Sequence, residues 1–341
     1  MAKNRSSAHW LARVEDGAHR MRLRRGLRRG LVPTVIPFTG YGTTGWVRVL
    51  GRVVLRKPGG PPADRFTSIR GWRSFLSIPV SGAQVEVTID GTRTSIRSDR
   101  GGVLDAEIPA TLAPGWGAVT LAIAGDGVDA PIFVVDGAVT FGILSDVDDT
   151  VMVTTLPRPL LAAWNTFVVD EHARRAVAGM AVLYDRLRQE HPRSPVIYLS
   201  TGAWNVVPTL TRFLERNVYP RGALLLTDWG PTHDHWFRNG PEHKATSLQR
   251  LASEFPMVRW LLIGDDGQHD ERIYGDFAAA HPQNVAAVVI RRLTPGEAVL
   301  AGGRSDASTH APADVPWLYA DDGASMIEQL ERLGLLADDR R

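Results

Sequence analysis

The chain contains no cysteine. That excludes a disulfide framework, a thiolate zinc site, an iron–sulfur cluster and a cysteine nucleophile. No run of about 18 uncharged apolar residues occurs, so no segment reads as a membrane-spanning helix. The first residues lack the continuous apolar core of a secretory signal. A GxSxG elbow and a GxxxxGK[ST] loop are also missing, which leaves a serine hydrolase or a P-loop NTPase without support. What remains is ordinary globular material: 341 residues, 44% hydrophobic and 22% charged. Such a chain has apolar surface for a core and length for about two domains.

Charge is unevenly spread. Residues 1–33 hold nine basic side chains (Lys3, Arg5, Arg13, Arg20, Arg22, Arg24, Arg25, Arg28, Arg29) against Glu15 and Asp16. That is +7 in a chain whose total is +2, so the remainder is −5. The basic character belongs to a tail and not to the fold. An anionic membrane surface, where each nearby Lys or Arg is worth about 1 kcal/mol, suits such a tail. The run has no interleaved aromatics and no recognition motif follows it, so nucleic acid is not expected. The expected setting is cytoplasmic, with residues 1–30 read either as a solvated, partly disordered lead-in or as a peripheral membrane contact.

Residues 34–138 read as an all-β sandwich. WVRVLGRVVL (46–55) is rich in β-branched residues, KPGGPPADR (57–65) is a loop, and Val85, Val87 and Ile89 alternate toward Asp90-Gly91, a hairpin signal. GVLDAEIP, AVTLAIAG and IFVVDG continue the series of short strands. Gly40-Tyr41-Gly42-Thr43-Thr44-Gly45 matches GxGxxG, but a strand and not a helix follows it, so it is not a dinucleotide fingerprint.

The pattern changes at residue 139. Nearly continuous apolar runs FGIL (141–144), VIYL (196–199), ALLL (223–226), WLLI (260–263) and VAAVVI (285–290) alternate with helical stretches. One helix face carries Met180, Leu183, Tyr184 and Leu187, another Leu248, Leu251 and Phe255, and SMIEQLERLGLL closes the chain as a further helix. Such runs suit strands buried on both faces of a parallel sheet covered by helices, here over 139–341.

Ligands of an open parallel sheet bind beyond the carboxyl ends of its strands. After the first run comes Ser145-Asp146-Val147-Asp148-Asp149-Thr150, after the second Ser200-Thr201-Gly202, after the third Thr227-Asp228, and after the fourth Gly264-Asp265-Asp266-Gly267-Gln268-His269-Asp270. Helix capping does not call for two strand ends with three acids each. Asp146 and Asp148, two apart, project to one side of an extended segment. Two carboxylates about 4 Å apart repel by about 4 kcal/mol at an effective dielectric near 20. A hard divalent cation relieves that repulsion, and an incomplete oxygen cage suits Mg²⁺, which keeps waters and takes phosphate oxygens. Lys244, in PEHKATSLQRL just before a helix, is placed to add a point charge for phosphate.

DVDDT, LST, Lys244 and GDDGQHD stand in the order of the four motifs of haloacid-dehalogenase-like (HAD-like) phosphatases. Within that superfamily, GILSDVDDTVMVT, STGAWN, YPRGALLLTDWG, HKATSLQRL and LLIGDDGQHDERIY resemble the actin-patch phosphatidate phosphatase family, whose catalytic signature is lipin-like. The resemblance covers 140–295, and GYGTTGWVRVLGRV extends it loosely over 36–58 in the manner of bacterial members. It implies Asp146 as nucleophile, Asp148 as general acid and base, Thr150 as loop-orienting, and Ser200, Thr201 and Gly202 at the phosphoryl oxygens. Lys244 would hold the phosphorylated aspartate. Mg²⁺ would rest on Asp146, the Asp148 carbonyl and Asp265, with Asp270 or Asp266 assisting. The implied substrate is phosphatidate or a related lipid phosphate. A phosphatase of soluble phosphomonoesters and a phospholipid-binding module without turnover are the alternatives. Ala203 departs from the proline that the family tends to have before the tryptophan.

His233, His235, His243 and His269 lack the spacing of a paired-histidine zinc site. His233 to Trp236 are expected at the pocket mouth. Leu160, Leu161, Trp164 and Phe167 are expected to pack helices beside the sheet, with an acyl-chain groove as the other reading.

Overall fold

The computed structural model describes residues 17, 19–59, 78–153, 175–227, 236–267, 269–304 and 314–338. The molecule is mixed α/β, with an antiparallel sheet followed by a parallel one. Leu160, Leu161, Trp164, Phe167, Asp228, His233, His235 and Gln268 lie outside the described residues, and the side chain of Trp236 does too.

A helix over 19–28 (α1) precedes nine strands: β1 (Val32–Pro37), β2 (Gly40–Thr43), β3 (Trp46–Arg56), β4 (Ile78–Pro79), β5 (Gln84–Ile89), β6 (Thr92–Arg97), β7 (Val103–Pro109), β8 (Gly115–Ile123) and β9 (Asp126–Val135). Their order is β1-β3-β2-β9-β8-β5-β6, with β4 and β7 also on β3. A β-sandwich was the expectation. Among the described residues the nine strands form one hydrogen-bonded sheet, in which β2 pairs in parallel with β9. Val35, Val47, Val49, Val53, Val85, Val87, Leu121 and Ile132 share one enclosed apolar cluster. The Asp90-Gly91 hairpin joins β5 to β6 in the expected register, Ile89 opposite Thr92. The GxGxxG segment is β2 turning into β3. A Cβ on Gly42 would sit 2.2 Å from the Trp46 carbonyl oxygen, so the glycine serves close strand approach and not a phosphate.

The second sheet has the order β14-β13-β10-β15-β16-β17, all parallel, from β10 (Phe141–Asp146), β13 (Val196–Ala203), β14 (Ala223–Thr227), β15 (Arg259–Asp265), β16 (Val285–Arg291) and β17 (Trp317–Ala320). The five apolar runs are the first five of these strands in chain order. The edge strand β17 escaped the reading; Trp317, Leu318 and Tyr319 are only partly buried there. A two-stranded ribbon, β11 (Met152–Val153) with β12 (Arg175–Ala176), follows β10. The covering helices are α2 (Met180–Glu190), α3 (Val207–Arg216), α4 (Trp236–Glu254), α5 (Asp270–Ala280), α6 (Pro295–Leu300) and α7 (Gly323–Arg332). Met180, Leu183, Tyr184 and Leu187 form the buried face of α2, and Leu248, Leu251 and Phe255 are buried as their spacing predicted.

The two sheets are packed on each other. One core cluster runs from Phe38, Tyr41 and Leu50 of the first region into the residues of the second. Phe38 stacks on Trp204 with ring centroids 5.6 Å apart and planes 5° from parallel. Tyr41 Oη donates to Glu254 Oε2 at 2.8 Å, and Arg48 Nε donates to Glu254 Oε1 at 2.8 Å. Glu254 ends α4, the helix that carries Lys244, so the antiparallel region braces that helix.

Candidate active site

The carboxyl ends of β10, β13 and β15 converge on one edge of the parallel sheet. β10 lies between β13 and β15, so its last residue, Asp146, is central. Asp146 is 2% exposed, Asp265 2% and Asp270 3%. One carboxylate oxygen from each of these three lies within 4.8 Å of those of the other two. Lys244 Nζ donates to Asp146 Oδ1 at 2.5 Å and to Asp270 Oδ1 at 2.6 Å. One ammonium thus faces three buried carboxylates.

Local backbone explains how the acids are aimed. Tyr184 Oη donates to Ser145 Oγ, and Ser145 Oγ donates to the Asp146 carbonyl at 2.6 Å. Past Asp146 the chain does not stay extended. Val151 and Met152 both donate to the Val147 carbonyl, and Asp149 adopts a left-handed φ of 60°. The Asp148 side chain turns to β13, where Ser200 Oγ donates to its Oδ2 at 3.0 Å. The third carboxylate of the buried cluster is therefore Asp270, at the first turn of α5, and not Asp148. Asp266 faces elsewhere: it accepts from the Leu293 amide at 2.8 Å and pairs with Arg304 Nε at 3.2 Å.

Gly264 makes room for Asp270. A Cβ there would lie 2.7 Å from Asp270 Oδ2 and 2.7 Å from the Tyr274 ring. Asp265 Oδ1 accepts from the Gly267 amide at 2.7 Å, which holds the loop after β15. On β13, the Gly202 amide donates to Ser200 Oγ at 3.0 Å, and Thr227 Oγ1 donates to the Thr201 and Gly202 carbonyls at 2.9 and 3.1 Å. Thr201 is exposed at the mouth, and Ser200 and Gly202 are buried beneath it.

Lys244 was expected just ahead of its helix. It lies inside α4, which begins at Trp236 and carries Pro241 in its first turns. Proline lacks a backbone donor and is more often found at a helix boundary than inside, so the sequence pattern hid the earlier beginning. Thr150 is fully buried, yet its hydroxyl makes no hydrogen bond among the described residues. Arg291, at the end of β16, is better placed to hold the loop: Nη1 donates to the Asp149 carbonyl at 2.7 Å and Nη2 to Glu297 Oε1 at 2.8 Å. Sequence reasoning missed it. The available signal was a charged residue ending the apolar run VAAVVI.

Burial pushes Asp146 well above the usual carboxylate range; Lys244 opposes this, and Asp270, Asp265 and Asp148 add to it. For Lys244, burial alone would lower the pKa, but the Asp146 and Asp270 carboxylates overcome it and hold the ammonium charged. A divalent cation fits this donor set. Asp270 Oδ2 is buried with no hydrogen-bond partner among the described residues, and Lys244 bonds to Asp146 and Asp270 of the three acids. Among the described residues no histidine joins a metal-ligating group. His243 is half-buried beside Lys244, and the loss of water around its ring pushes its pKa down to about 4.

The geometry can be set beside known proteins. Residues 141–292 match the family described as "Phosphatidate phosphatase APP1, catalytic domain". Phosphatidate phosphatase APP1 of Saccharomyces cerevisiae is 23% identical over 153 residues, 44% of this chain and 25% of that protein. An uncharacterized protein of Schizosaccharomyces pombe is 23% identical over 150 residues, again 44% of this chain and 24% of its own length. The chain thus spans about a quarter of the length of these curated relatives. A crystal structure of a HAD family hydrolase from Deinococcus radiodurans R1 with bound phosphate and sodium is 14% identical, covers 59% of this chain and 99% of its own, and superposes with a TM-score of 0.30, too low to bear on fold or function. The match begins at Phe141 and ends at Arg292, so it takes in every acid of the buried cluster, Ser200 and Lys244.

Proposed function

We propose that the chain is a Mg²⁺-dependent phosphatase of lipid phosphates, with phosphatidate as the substrate suggested by the APP1 family, and that its parallel sheet is a HAD-like catalytic domain. The observation that carries this reading is the buried trio Asp146, Asp265 and Asp270 around Lys244 at the strand ends. Asp146, Asp265 and Asp270 would hold Mg²⁺, with the Asp148 backbone beside them. The ion would supply charge neutralisation for an incoming phosphate.

The protein's own groups divide the remaining work. Asp146 is the carboxylate placed to attack phosphorus, forming an acyl phosphate and expelling the substrate alkoxide. Asp148 lies outside the buried carboxylate trio, and Ser200 Oγ donates to its Oδ2. It is the group to protonate that alkoxide and afterwards to take a proton from the hydrolytic water. Lys244 stays charged and neutralises the phosphoryl group on Asp146. Ser200 and the Gly202 region meet the equatorial oxygens. Phosphoryl transfer of this kind is mainly positioning and charge stabilisation, which a rigid strand-end site supplies.

The test is phosphate release from phosphatidate, other lipid phosphates and soluble phosphomonoesters, with Mg²⁺ and with chelator. Release from phosphatidate that needs Mg²⁺ supports the reading. Preference for a soluble ester moves the substrate, and no release from any member makes the chain a binder.

A further inference from the structure

Residues 17–59 contain no aspartate or glutamate, and they carry ten basic side chains. Six of these fall at 20–29, on or just after α1. The helix is docked, not trailing. Gly26 is buried where a Cβ would lie 2.5 Å from Leu55 Cδ1 and 3.3 Å from Ile78 Cδ1, so the helix backbone rests on β3 and β4. It ends in a left-handed Gly30: the Leu31 amide donates to the Gly26 carbonyl at 3.1 Å and the Gly30 amide to the Leu27 carbonyl at 3.0 Å, the pattern of a closed C-terminal cap.

With Gly26, Leu23 and His19 on the inner face, the 3.6-residue period turns Arg24 and Arg28 straight outward, flanked by Arg20, Met21, Arg25 and Leu27. Met21 is 57% exposed, Leu27 47% and Val32, just past the cap, 38%. Nine large hydrophobic side chains are exposed among the described residues, and three of them crowd into this short stretch. Arg22, Arg24, Arg25, Arg28 and Arg29 form no ion pair with a described residue, unlike Arg48, which is tied to Asp105, Glu107 and Glu254.

We propose that the outer face of α1 is a docking surface for an anionic lipid bilayer. Uncompensated arginines would lie at the headgroups while Met21, Leu27 and Val32 enter the acyl boundary. The choice of partner follows from the chemistry of the face. A phosphate backbone would satisfy the arginines and leave the exposed apolar side chains in water, whereas a membrane interface takes both. An acidic protein surface would meet the charge, but it offers no apolar layer beneath. The proposal deepens the lipid-phosphate reading by giving the substrate's own phase a seat on the molecule. It does not depend on turnover.

The experiment uses the full chain and vesicles of phosphatidylcholine alone or mixed with phosphatidylserine, followed by co-sedimentation at low and high salt. Binding is expected only to the mixed vesicles and is expected to fade with salt. R24Q/R25Q/R28Q should bind them on the order of 10²-fold more weakly, about fivefold per arginine. M21S/L27S, which keeps every charge, should lose about tenfold. Phosphate release from a soluble ester should be the same in all three proteins. Wild-type binding that ignores phosphatidylserine, or variants that bind as the wild type does, would overturn the proposal. So would a DNA oligonucleotide that outcompetes the vesicles, or apolar substitutions without effect. If no ester is hydrolysed while vesicle binding behaves as expected, the phosphatase reading falls and the docking surface stands.

Discussion

The two sheets treat polar side chains in opposite ways. In the antiparallel region the strands alternate, as in β5, where Val85, Val87 and Ile89 face the core and Gln84 and Glu86 face water. Among the described residues there, Ser98 is the one buried polar side chain. In the parallel region β10, β14 and β16 are buried almost throughout, and Ser145, Asp146, Ser200, Thr227, Lys244, Asp265, Asp270 and Arg291 are buried at or near strand ends. Burying a charge costs several kcal/mol unless it is paired. A fold that does so repeatedly at one edge, and avoids it in the neighbouring sheet, has placed its chemistry at that edge. The antiparallel sheet then serves as a brace, through Phe38 on Trp204 and through Tyr41 and Arg48 on Glu254.

The sharpest way to break this contrast is to neutralise one carboxylate in each sheet. Asp146→Asn should cut phosphate release by at least about 10³-fold while the circular dichroism spectrum is retained. Asp129→Asn, at an exposed acid of β9 bonded to Thr120, should change release less than about twofold. Equal losses from both would mean that the buried cluster has no special role.

The contrast was legible in part before any coordinates. Period-two alternation located β5 through β9, and uninterrupted apolar runs located five of the six parallel strands, because each pattern reports which faces are buried. Most of the candidate site was legible for the same reason: strand ends are where a parallel sheet presents its loops, and the acids stood there. Three things were not. The Ser200 hydrogen bond to Asp148 joins residues 52 apart, and the left-handed Asp149 that follows is something spacing does not announce. Arg291 reaches the loop after Asp146 from two strands away in the sheet order, a contact made by tertiary structure alone. The parallel pairing of β2 with β9 is between residues about ninety apart, and local patterns carry no information about such partners.

The brace can be tested next. Phe38→Ala removes a ring that is 4% exposed and stacked on Trp204, four residues after Ser200. A loss of about 3 kcal/mol in unfolding free energy is expected from the cavity. Because Trp204 directly follows the strand end that carries Ser200, kcat/KM should fall further than Phe38→Leu makes it fall. A protein destabilised by that amount with unchanged kinetics would reduce the antiparallel sheet to a neighbour. Glu254→Gln is a gentler probe. It keeps a side chain of the same shape but removes the charge that Arg48 and Tyr41 meet, at a site 7% exposed. About 2 kcal/mol of stability should be lost, visible as a lower thermal midpoint, with activity at 25 °C nearly unchanged.

The smallest effect concerns His243, which lies between the two regions on the helix they share. Burial holds its pKa near 4, below the usual 6.5, so the folded protein keeps the ring neutral while the unfolded chain binds a proton below about pH 6.5. The unfolded state therefore gains protons first as the solution is acidified. The stability that the neutral ring allows is complete above pH 6.5 and drains away as pH falls toward 4. Between pH 7 and pH 5.5 the loss should be about 1 kcal/mol. A His243→Gln variant, with no group to titrate there, should show a flatter stability profile over that interval in urea titrations. If both proteins lose stability in parallel, the acid sensitivity belongs to other groups, and His243 is no more constrained than the exposed polar side chains of the first sheet.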